Sequence, residues 1–326
     1  MTTHGRPLDS VLETVGETPL VRVHASPDDV PVYAKLESFN PGASVKDRIG
    51  KYMLEAMLES GELPPGGTVV EPTAGNTGIG FAVAAGQLDV DAVFVVPERF
   101  SVEKQQLMAA LGADVINTPT EAGMEGAIER AHELADELDD AVVPQQFSNP
   151  LNVEAHYETT GPEIRDALDG DVGALVAGCG TAGTLMGTGK RLREHVPDLH
   201  VTAVEPTGSL YATTKGRDVE EAEYKTEGIG THDPTTNELF DPEFVDDVVQ
   251  IPDRDTHAEM QRLAREEGHL VASSSAANSL AALDVAERAA AGDLDLPHDC
   301  VVTVFADSSE RYLSKGVYGE YEEWEG

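Results

Sequence analysis

The chain has 326 residues, 40% of them hydrophobic, which is enough for a large core or two lobes and argues against wholesale disorder. It carries 22 basic and 60 acidic residues, a formal net charge of −38. Because phosphate and anionic-lipid surfaces require a basic face, this charge argues against nucleic acid and membranes as partners. The acidic residues are dispersed, and their repulsion is tolerated best near 1 M salt, where the Debye length is about 3 Å. The composition therefore favours a salt-rich cytoplasm.

Cysteine usage and hydropathy also indicate a cytoplasmic protein. Cys179 and Cys300 are too few for a disulfide framework, which favours a reducing compartment. The N-terminal residues lack the apolar segment of a secretory signal, and the apolar runs at 92–96 and 300–306 are too short to cross a bilayer. The ten histidines show no metal-ligand spacing, so we expect no metal site.

Short β-branched runs alternate with segments of helical periodicity along the whole chain. The predicted strands are 32–35, 68–71, 92–96, 114–116, 141–143, 174–177, 201–205, 245–251, 270–272 and 300–305. The predicted helices are 45–60, 77–86, 102–111, 123–138, 158–168, 184–195, 256–267, 276–291 and 308–315. Apolar strands that are each followed by a helix form parallel sheets covered on both faces. We therefore predict an α/β protein with two mainly parallel sheets, in which the chain crosses between domains near 148–152.

Lys46 lies in the segment PGASVKDRIG at 41–50. Ser44 is placed to cap a helix there, and Asp47 is placed to close a capping box. Lys46 would then stand in the first helical turn, where the helix dipole disfavours a cation by roughly 0.3–1 kcal/mol. That shift favours the neutral amine required for imine chemistry. Taken alone, however, the residue is explained better as a solvated lysine at a helix start.

Two glycine-containing loops each follow a predicted strand and open a helix. The first, EPTAGNTGIG at 71–80, can bind a carboxylate or phosphate through helix N–H groups, or serve as an ordinary turn. The second, GCGTAGT at 178–184, matches the dinucleotide pattern G-x-G-x-x-G, with Glu205 ending the next strand as a candidate ribose-binding acid. The same loop suits a single phosphate held by backbone amides and by the hydroxyls of Thr181 and Thr184. Both an NAD-dependent oxidoreductase and a cofactor with one phosphate remain open at this point.

The segment ASSSAAN at 272–278 contains serines that by themselves are typical helix caps. Taken together with this segment, the motifs above occur in the same order as in one known family. The chain is similar to the cysteine synthase and cystathionine beta-synthase family of pyridoxal phosphate-dependent enzymes of fold type II. The resemblance runs from ETPLV at 17–21 to SSERYLS at 308–314. It also includes the motifs NPGASVKDRIG, QQFSNP, TTGPEI, EGIG and SSSAA.

The resemblance implies a fold like that of the tryptophan synthase beta-subunit. Two α/β domains, each with a mainly parallel sheet flanked by helices, would enclose the cofactor in the cleft between them. We expect a smaller N-terminal domain over 41–150 and a larger domain formed by 1–40 and 151–326. The family pattern also implies a homodimer.

The resemblance further implies a role for each residue of the site. Lys46 would form the imine with pyridoxal phosphate and move the α-proton of the substrate. Asn76 would hydrogen-bond the ring hydroxyl of the cofactor, and Ser275 would face its pyridine nitrogen. The cofactor phosphate would be bound by Gly180, Thr181, Ala182, Gly183 and Thr184. The substrate would be bound by Thr73, Gly75, Thr77, Gln146 and Gly228.

The implied reaction is a β-replacement. O-acetyl-L-serine, or another activated serine, would lose its leaving group to give an aminoacrylate, and sulfide would add to form L-cysteine. A neutral serine at the pyridine nitrogen makes the ring a weaker electron sink than an aspartate would, which suits loss of a β-leaving group. Homocysteine is the alternative acceptor, as in a cystathionine beta-synthase. The other interpretations are a serine or threonine dehydratase, an NAD-dependent oxidoreductase and a non-catalytic partner-binding protein.

Three alanines depart from the family pattern. Ala74 replaces the serine of T-S-G-N-T-G, and Ala182 and Ala276 stand where glycine is usual. A methyl group at 182 or 276 demands ordinary backbone angles there. The T-A-G-N-T-G form resembles the branch that joins homocysteine to activated serine, whereas QQFSNP resembles plain cysteine synthases. The sequence thus predicts sulfide as the acceptor, with homocysteine as the close alternative.

Overall fold

The computed structural model describes residues 7–325, and these contain ten strands and nine α-helices. The strands are β1 (Leu20–Val23), β2 (Val32–Leu36), β3 (Thr68–Pro72), β4 (Asp91–Pro97), β5 (Asp114–Thr118), β6 (Ala141–Val142), β7 (Ala174–Gly178), β8 (His200–Pro206), β9 (Asp247–Ile251) and β10 (Val301–Phe305). The α-helices are α1 (Lys46–Ser60), α2 (Asn76–Leu88), α3 (Val102–Ala110), α4 (Gly123–Glu137), α5 (Leu151–Glu158), α6 (Thr160–Ala167), α7 (Gly183–Arg193), α8 (Asp253–Arg262) and α9 (Ser273–Ala290). Within this part of the chain, no helix combines the length and apolarity needed to cross a membrane.

The described chain forms two compact units. The first unit contains residues 7–17 and 40–155, and the second contains residues 18–39 and 156–325. Lys46 and the 73–77 loop belong to the first unit, whereas the 180–184 loop belongs to the second.

The first unit is built on a parallel sheet with the strand order β5-β4-β3-β6. Alternate residues of its central strands face opposite sides. Val70 and Val95 pack towards α4, whereas Val69, Phe94 and Val96 pack in the cluster that includes α1 and α2. Because both faces are covered, the strands are apolar throughout, as the sequence predicted for parallel strands.

Helices α1 and α2 cross at two glycines. A Cβ atom at Gly50 would lie 2.4 Å from the backbone of Gly80, and one at Gly80 would lie 2.4 Å from the Lys46 carbonyl oxygen. Only residues without a Cβ permit this approach. The crossing holds the start of α1, where Lys46 is the first residue, against the early turns of α2.

The second unit is built on a sheet with the order β1-β2-β10-β7-β8-β9. Only β1 is antiparallel, and it pairs with β2 at the edge. The other neighbours are parallel, and α9 packs in the main core cluster beside β10. Strand β7 leads directly into the loop that opens α7, so this sheet presents the 178–184 loop at the carboxyl end of a strand.

Nine of the ten predicted strands are confirmed, with ends that shift by up to two residues. The prediction of a strand over 270–272 is wrong. Val271 makes a single antiparallel bridge with Ser308, because α9 begins two residues later and ends the extended segment. The sequence analysis missed β1, LVRV, although three of its four residues are apolar; three of the four are half-buried.

Several helix predictions needed correction. The predicted helix over 158–168 is α6, and α5 before it was missed. The signal for α5 was the pair Asn149–Pro150, since the Asn149 side chain accepts a hydrogen bond from the Leu151 N–H at 3.0 Å. The predicted helix over 308–315 is a 3₁₀ helix at Ser309–Lys315. The helix predicted over 256–267 begins earlier, at Asp253, and closes in a π-helix at Leu263–Glu267.

Candidate functional site

Lys46 occupies the first position of α1, as predicted, but the predicted capping box is wrong. The Ser44 hydroxyl accepts a hydrogen bond from the Lys46 N–H at 3.2 Å, and Asp47 accepts one from the N–H of Gly42. The helix follows Val45 without a side-chain cap. A left-handed turn at Ala43, with φ of 56°, brings the Gly42 N–H over Asp47, so Asp47 closes the preceding turn instead of the helix start.

Glu71 is a buried carboxyl group at the end of β3 that the sequence analysis did not single out. Burial raises its pKa to about 8, although hydrogen bonds from Gln145 and Gln146 and the charge of Lys46 act in the opposite direction. Its Oε2 has no hydrogen-bond partner. The available signal was an acidic residue at the end of the apolar run TVVE, since an ionisable group is rarely buried without a partner or a purpose.

The loop after β3 presents its polar groups at the start of α2. The Thr77 hydroxyl donates a hydrogen bond to Gln146 Oε1 at 2.7 Å, and the Gly75 N–H donates one to the Thr73 hydroxyl at 3.2 Å. No side chain caps α2, which begins at Asn76. N–H groups of an uncapped first turn bind a carboxylate or phosphate well. The structure therefore brings all five predicted residues of this loop region together in the first unit.

Gly180 lies in a loop of the second unit that backbone contacts hold in place. A Cβ atom on Gly180 would lie 2.3 Å from the carbonyl oxygen of Gly228. The Gly180 carbonyl accepts hydrogen bonds from Tyr211 Oη at 2.8 Å and from Asn237 Nδ2 at 3.0 Å. The N–H of Gly230 donates to the carbonyl oxygen of Cys179 at 2.8 Å. The predicted residues Gly180 and Gly228 are thus in direct contact.

The remainder of this loop forms the start of α7. Gly183 is the first helical residue, and its N–H donates to the Thr181 hydroxyl at 3.4 Å. The Thr184 hydroxyl hydrogen-bonds His156 Nε2 at 3.1 Å, and His156 Nδ1 hydrogen-bonds Thr160 at 2.9 Å. His156, which is buried, is therefore a fully engaged polar residue that orients a hydroxyl of the loop.

Ala182 contradicts the expectation of ordinary backbone angles. It adopts φ of 65° and ψ of −10°, a left-handed conformation that costs a residue with a Cβ roughly 1–2 kcal/mol. The tight turn into α7 imposes these angles whatever residue is present. Ala276, in contrast, lies within α9 and has the ordinary angles expected of it.

Glu205, the candidate ribose-binding acid of the dinucleotide interpretation, is not available to a ligand. Glu205 is buried, and its carboxylate accepts hydrogen bonds from the N–H groups of Tyr211 at 2.7 Å and Ala212 at 2.9 Å. The side chains of Ser209 and Gln250 also donate to it. Both oxygens are used inside the protein, so the carboxylate cannot hold a ribose.

Ser275 stands near the start of α9, where its buried hydroxyl accepts a hydrogen bond from the Ala306 N–H at 2.9 Å. A hydroxyl that accepts in this way keeps its own proton for another acceptor, such as an unprotonated ring nitrogen. Within residues 7–325, no three His, Cys, Asp or Glu side chains form a group that could hold a metal ion.

Comparisons with known proteins agree over most of the chain. A family profile described as "Pyridoxal-phosphate dependent enzyme" matches residues 11–307. A Bacillus subtilis protein named O-acetylserine dependent cystathionine beta-synthase is 42% identical over 313 residues, which cover 95% of this chain and 98% of that protein. A Helicobacter pylori protein named cysteine synthase is 40% identical over 319 residues, covering 95% and 99%.

A solved structure is similar to this chain in both sequence and fold. The crystal structure of an O-acetylserine dependent cystathionine beta-synthase from Helicobacter pylori is 40% identical and aligns with a TM-score of 0.84. The alignment covers 96% of this chain and 99% of that one. Together with the two parallel-type sheets, this similarity confirms the predicted α/β fold class.

Proposed function

Because the chain belongs to the pyridoxal-phosphate dependent enzyme family, we propose that it catalyses β-replacement on O-acetyl-L-serine, with sulfide as acceptor and L-cysteine as product. The predicted family and the predicted cofactor, pyridoxal phosphate, are both confirmed. The name of the Bacillus relative supports O-acetylserine as the donor, and the name of the Helicobacter relative supports L-cysteine as the product.

The observation that carries this proposal is the position of Lys46 in the first unit. Its carbonyl oxygen packs against Gly80, one turn after α2 begins, and its amine acts electrostatically on Glu71 at the end of β3. The 73–77 loop joins those two elements. The main chain of Lys46 is thus held near a loop whose N–H and hydroxyl groups suit a carboxylate, as an amino-acid substrate requires.

The second unit offers donors that fit the cofactor. The Gly180 backbone is packed tightly enough to exclude a Cβ, and Ser275 retains a proton for a pyridine nitrogen. We assign the cofactor phosphate to Gly180, Thr181, Ala182, Gly183 and Thr184. Asn76 would hydrogen-bond the ring hydroxyl. When bound, pyridoxal phosphate supplies an electron sink for the electron pair of the broken Cα–H bond.

In the proposed reaction, the protein's own groups bind the substrate and move one proton. Thr73, Gly75, Thr77 and Gln146 hold the carboxylate, and Gly228 contributes to substrate binding. Lys46 Nζ takes the α-proton, the β C–O bond breaks, and acetate leaves with its electron pair. The sulfur of the acceptor then forms the new Cβ–S bond, and Lys46 returns a proton to Cα.

Homocysteine is the second candidate acceptor, favoured by one residue. Ala74 is half-buried in the substrate loop and removes a hydroxyl that a serine would present. The Bacillus relative with the cystathionine beta-synthase name supports the same acceptor. Rates with sulfide and with homocysteine, measured on one O-acetyl-L-serine preparation, decide between the two. A higher kcat/KM with homocysteine would replace sulfide as the acceptor.

A chemical test addresses Lys46 itself. The purified protein should be yellow, and borohydride should bleach it while fixing the cofactor mass on the peptide that contains Lys46. Cofactor mass on another lysine peptide would contradict the assignment. A colourless protein that carries a nicotinamide would contradict the proposed reaction as a whole.

The cellular setting is a further part of the proposal. The net charge of −38 supports a salt-rich cytoplasm and argues against nucleic acid and membranes as partners. We also expect a homodimer, with functional domains at 41–150 and at 1–40 with 151–326. The melting temperature should rise between low and molar salt, and light scattering should give twice the chain mass. A melting temperature that does not change with salt would contradict the halophilic adaptation.

A further inference from the structure

Three buried side chains of the first unit interact in series, and the series ends at the substrate loop. Glu71, Gln146 and Thr77 are 2%, 7% and 4% exposed. The Thr77 hydroxyl donates to Gln146 Oε1 at 2.7 Å. The Gln146 side chain also lowers the pKa of Glu71, which is the effect of a donor, and the amide nitrogen is the only donor that this side chain has. The main chain of Gln146 is fixed by Asn152 Nδ2, which donates to its carbonyl oxygen at 2.8 Å. The Gln146 end of the series is therefore anchored through its main chain.

The direction of these hydrogen bonds decides what Thr77 can offer. A threonine hydroxyl has one proton, and a glutamine amide has an acceptor oxygen and a donor nitrogen. In the arrangement described, the amide nitrogen faces Glu71 and the amide oxygen takes the Thr77 proton. Thr77 then presents only lone pairs, which cannot donate to a substrate carboxylate.

A reversed arrangement fits the same space. Rotation of the Gln146 amide by about 180° exchanges its oxygen and nitrogen, which occupy nearly the same volume. The nitrogen then donates to Thr77, and the Thr77 proton is released for a ligand. The amide oxygen now faces Glu71, where it needs a donor. Only a protonated carboxyl group can supply one.

We propose that Glu71 is a positioning residue that acts on Thr77 through Gln146. The protonation state of Glu71 sets whether Thr77 can donate a hydrogen bond to the substrate carboxylate, an inference that rests on the proposed function. A protonated Glu71 supports the binding arrangement. An ionised Glu71 draws the amide nitrogen to itself and withdraws the Thr77 proton from the ligand.

The surroundings of Glu71 make this proton available near neutral pH. Burial raises the pKa of Glu71 to about 8, and the groups that oppose this are the backbone N–H groups of Gln145 and Gln146, the Gln146 side chain and the charge of Lys46. Lys46 has the weakest of these effects, so its loss leaves the direction unchanged. On the sheet, Glu71 stands opposite the uncharged Phe94 of β4, and β6 pairs only with the beginning of β3. The substrate KM should therefore rise as the pH passes above about 8.

The test compares the wild-type holoenzyme with E71Q. Glutamine cannot ionise, yet its N–H group can donate to the Gln146 oxygen at every pH. KM and kcat for O-acetyl-L-serine are measured on both proteins from mildly acidic to mildly alkaline pH. The ratio of the wild-type KM to the E71Q KM cancels ionisation of the substrate itself. This ratio should rise from about one to roughly ten- to a hundredfold, the cost of losing a hydrogen bond to a charged group. A ratio that does not change with pH would overturn the proposal.

A second variant tests the connection to Thr77. T77V removes the terminal hydroxyl, so KM should be high at every pH, and adding E71Q to T77V should no longer change the pH profile. A pH-dependent effect of E71Q that persists in the T77V background would show that Glu71 acts by another route.

Infrared difference spectra keep the inference separate from the enzymatic activity. The C=O stretch of a protonated carboxyl group, taken as wild type minus E71Q, should be present at neutral pH and disappear near pH 8. Its absence below pH 6 would overturn the proposal whether or not the protein turns over. A normal infrared titration in a protein without any β-replacement activity would instead refute the proposed function and, with it, the substrate part of this inference.

Discussion

The two strand-to-helix loops that carry predicted site residues, one in each unit, are built in different ways. The loop at 73–77 is held by hydrogen bonds to side chains and has room around its backbone, since a Cβ on Gly75 would meet nothing within 4 Å. The loop at 178–184 works through its backbone, with Gly180 packed against Gly228 and a left-handed residue at 182. The first loop should tolerate added volume but not a change in polarity. The second should show the reverse.

The largest effect is expected at Lys46, the residue proposed to form the imine and move the α-proton. Lys46→Ala should lower kcat by at least about 10²–10⁴-fold, because it removes the group proposed to transfer the α-proton. The protein should still fold, and cofactor retained through the second loop would be visible in its absorbance. Steady-state turnover and the absorption spectrum check both parts.

Lys51→Ala is the matched control for that variant. Lys51 lies in the same helix, and its amine donates a hydrogen bond to the Leu12 carbonyl oxygen at 3.1 Å. The substitution makes the same change in charge without touching the reactive group, so turnover should stay within severalfold of wild type. Equal losses in both variants would mean that charge or folding, and not the amine at 46, explains the effect.

The next effect concerns Glu71, the buried carboxyl group in β3 just before the 73–77 loop. The pKa of Glu71 is raised from 4.5 to about 8 in the folded protein, so the folded state holds a proton that the unfolded state releases. Its contribution to the free energy of unfolding therefore falls as the pH rises from about 4.5 to about 8, and is constant above that. Glu71→Gln removes this loss. Relative to wild type, the variant should gain stability on the order of a few kcal/mol across this window.

Urea unfolding at several pH values checks this, with Glu62→Gln as the control. Glu62 is an exposed glutamate of the same unit, so its substitution makes the same chemical change outside the core. A constant difference between Glu71→Gln and wild type over the whole pH range would contradict the raised pKa.

The difference between side-chain chemistry and backbone geometry also explains how much of the site could be predicted from the sequence. Side-chain chemistry is visible in the residues themselves, so Lys46 and the polar loop residues were placed correctly on a helix start and a strand end. Backbone geometry is not, which is why Ala182 was expected in an ordinary conformation. Glu71 was missed for a third reason. Its importance depends on burial and on contact with Gln146, 75 positions along the chain, and no local pattern encodes that contact.

The fold, too, was predicted correctly in some segments and not in others. Strands buried on both faces were predicted because their apolar runs are continuous, as at 92–96. The edge strand β1 was missed although three of its four residues are apolar, because its identity as a strand depends on antiparallel pairing with β2, which the local sequence does not show. Val271 was assigned to a strand because its extended, apolar neighbourhood is locally the same as that of a strand. Only the absence of a long partner in the fold distinguishes it.

The backbone-built loop should be sensitive to a single methyl group. In Gly180→Ala the new Cβ would stand 2.3 Å from the Gly228 carbonyl oxygen, and neither backbone can yield without moving the loop. We expect a loss of about 1–3 kcal/mol in unfolding free energy and weaker retention of the cofactor. In Gly75→Ala the new Cβ meets no atom within 4 Å, and φ is −114°, so stability should be unchanged or slightly higher. Urea midpoints of the two cofactor-free variants check the contrast, and similar losses in both would remove the distinction between the loops.

The smallest expected effect is a change in unfolding free energy at two alanines of the second unit. It tests whether the local backbone angle or the residue type decides the sign of that change. Ala182→Gly should raise the unfolding free energy by up to about 1 kcal/mol, because glycine adopts the observed φ of 65° without strain. Ala276→Gly should lower it by about 1–2 kcal/mol, because it places glycine inside α9 and deletes a buried methyl group. Both positions carry glycine in the pattern that the sequence resembles, so composition alone predicts equal effects. Opposite shifts of the urea midpoint would show that the local backbone angle decides the sign, whereas a loss in both variants would mean that the Ala182 methyl contributes more through packing than its conformation costs.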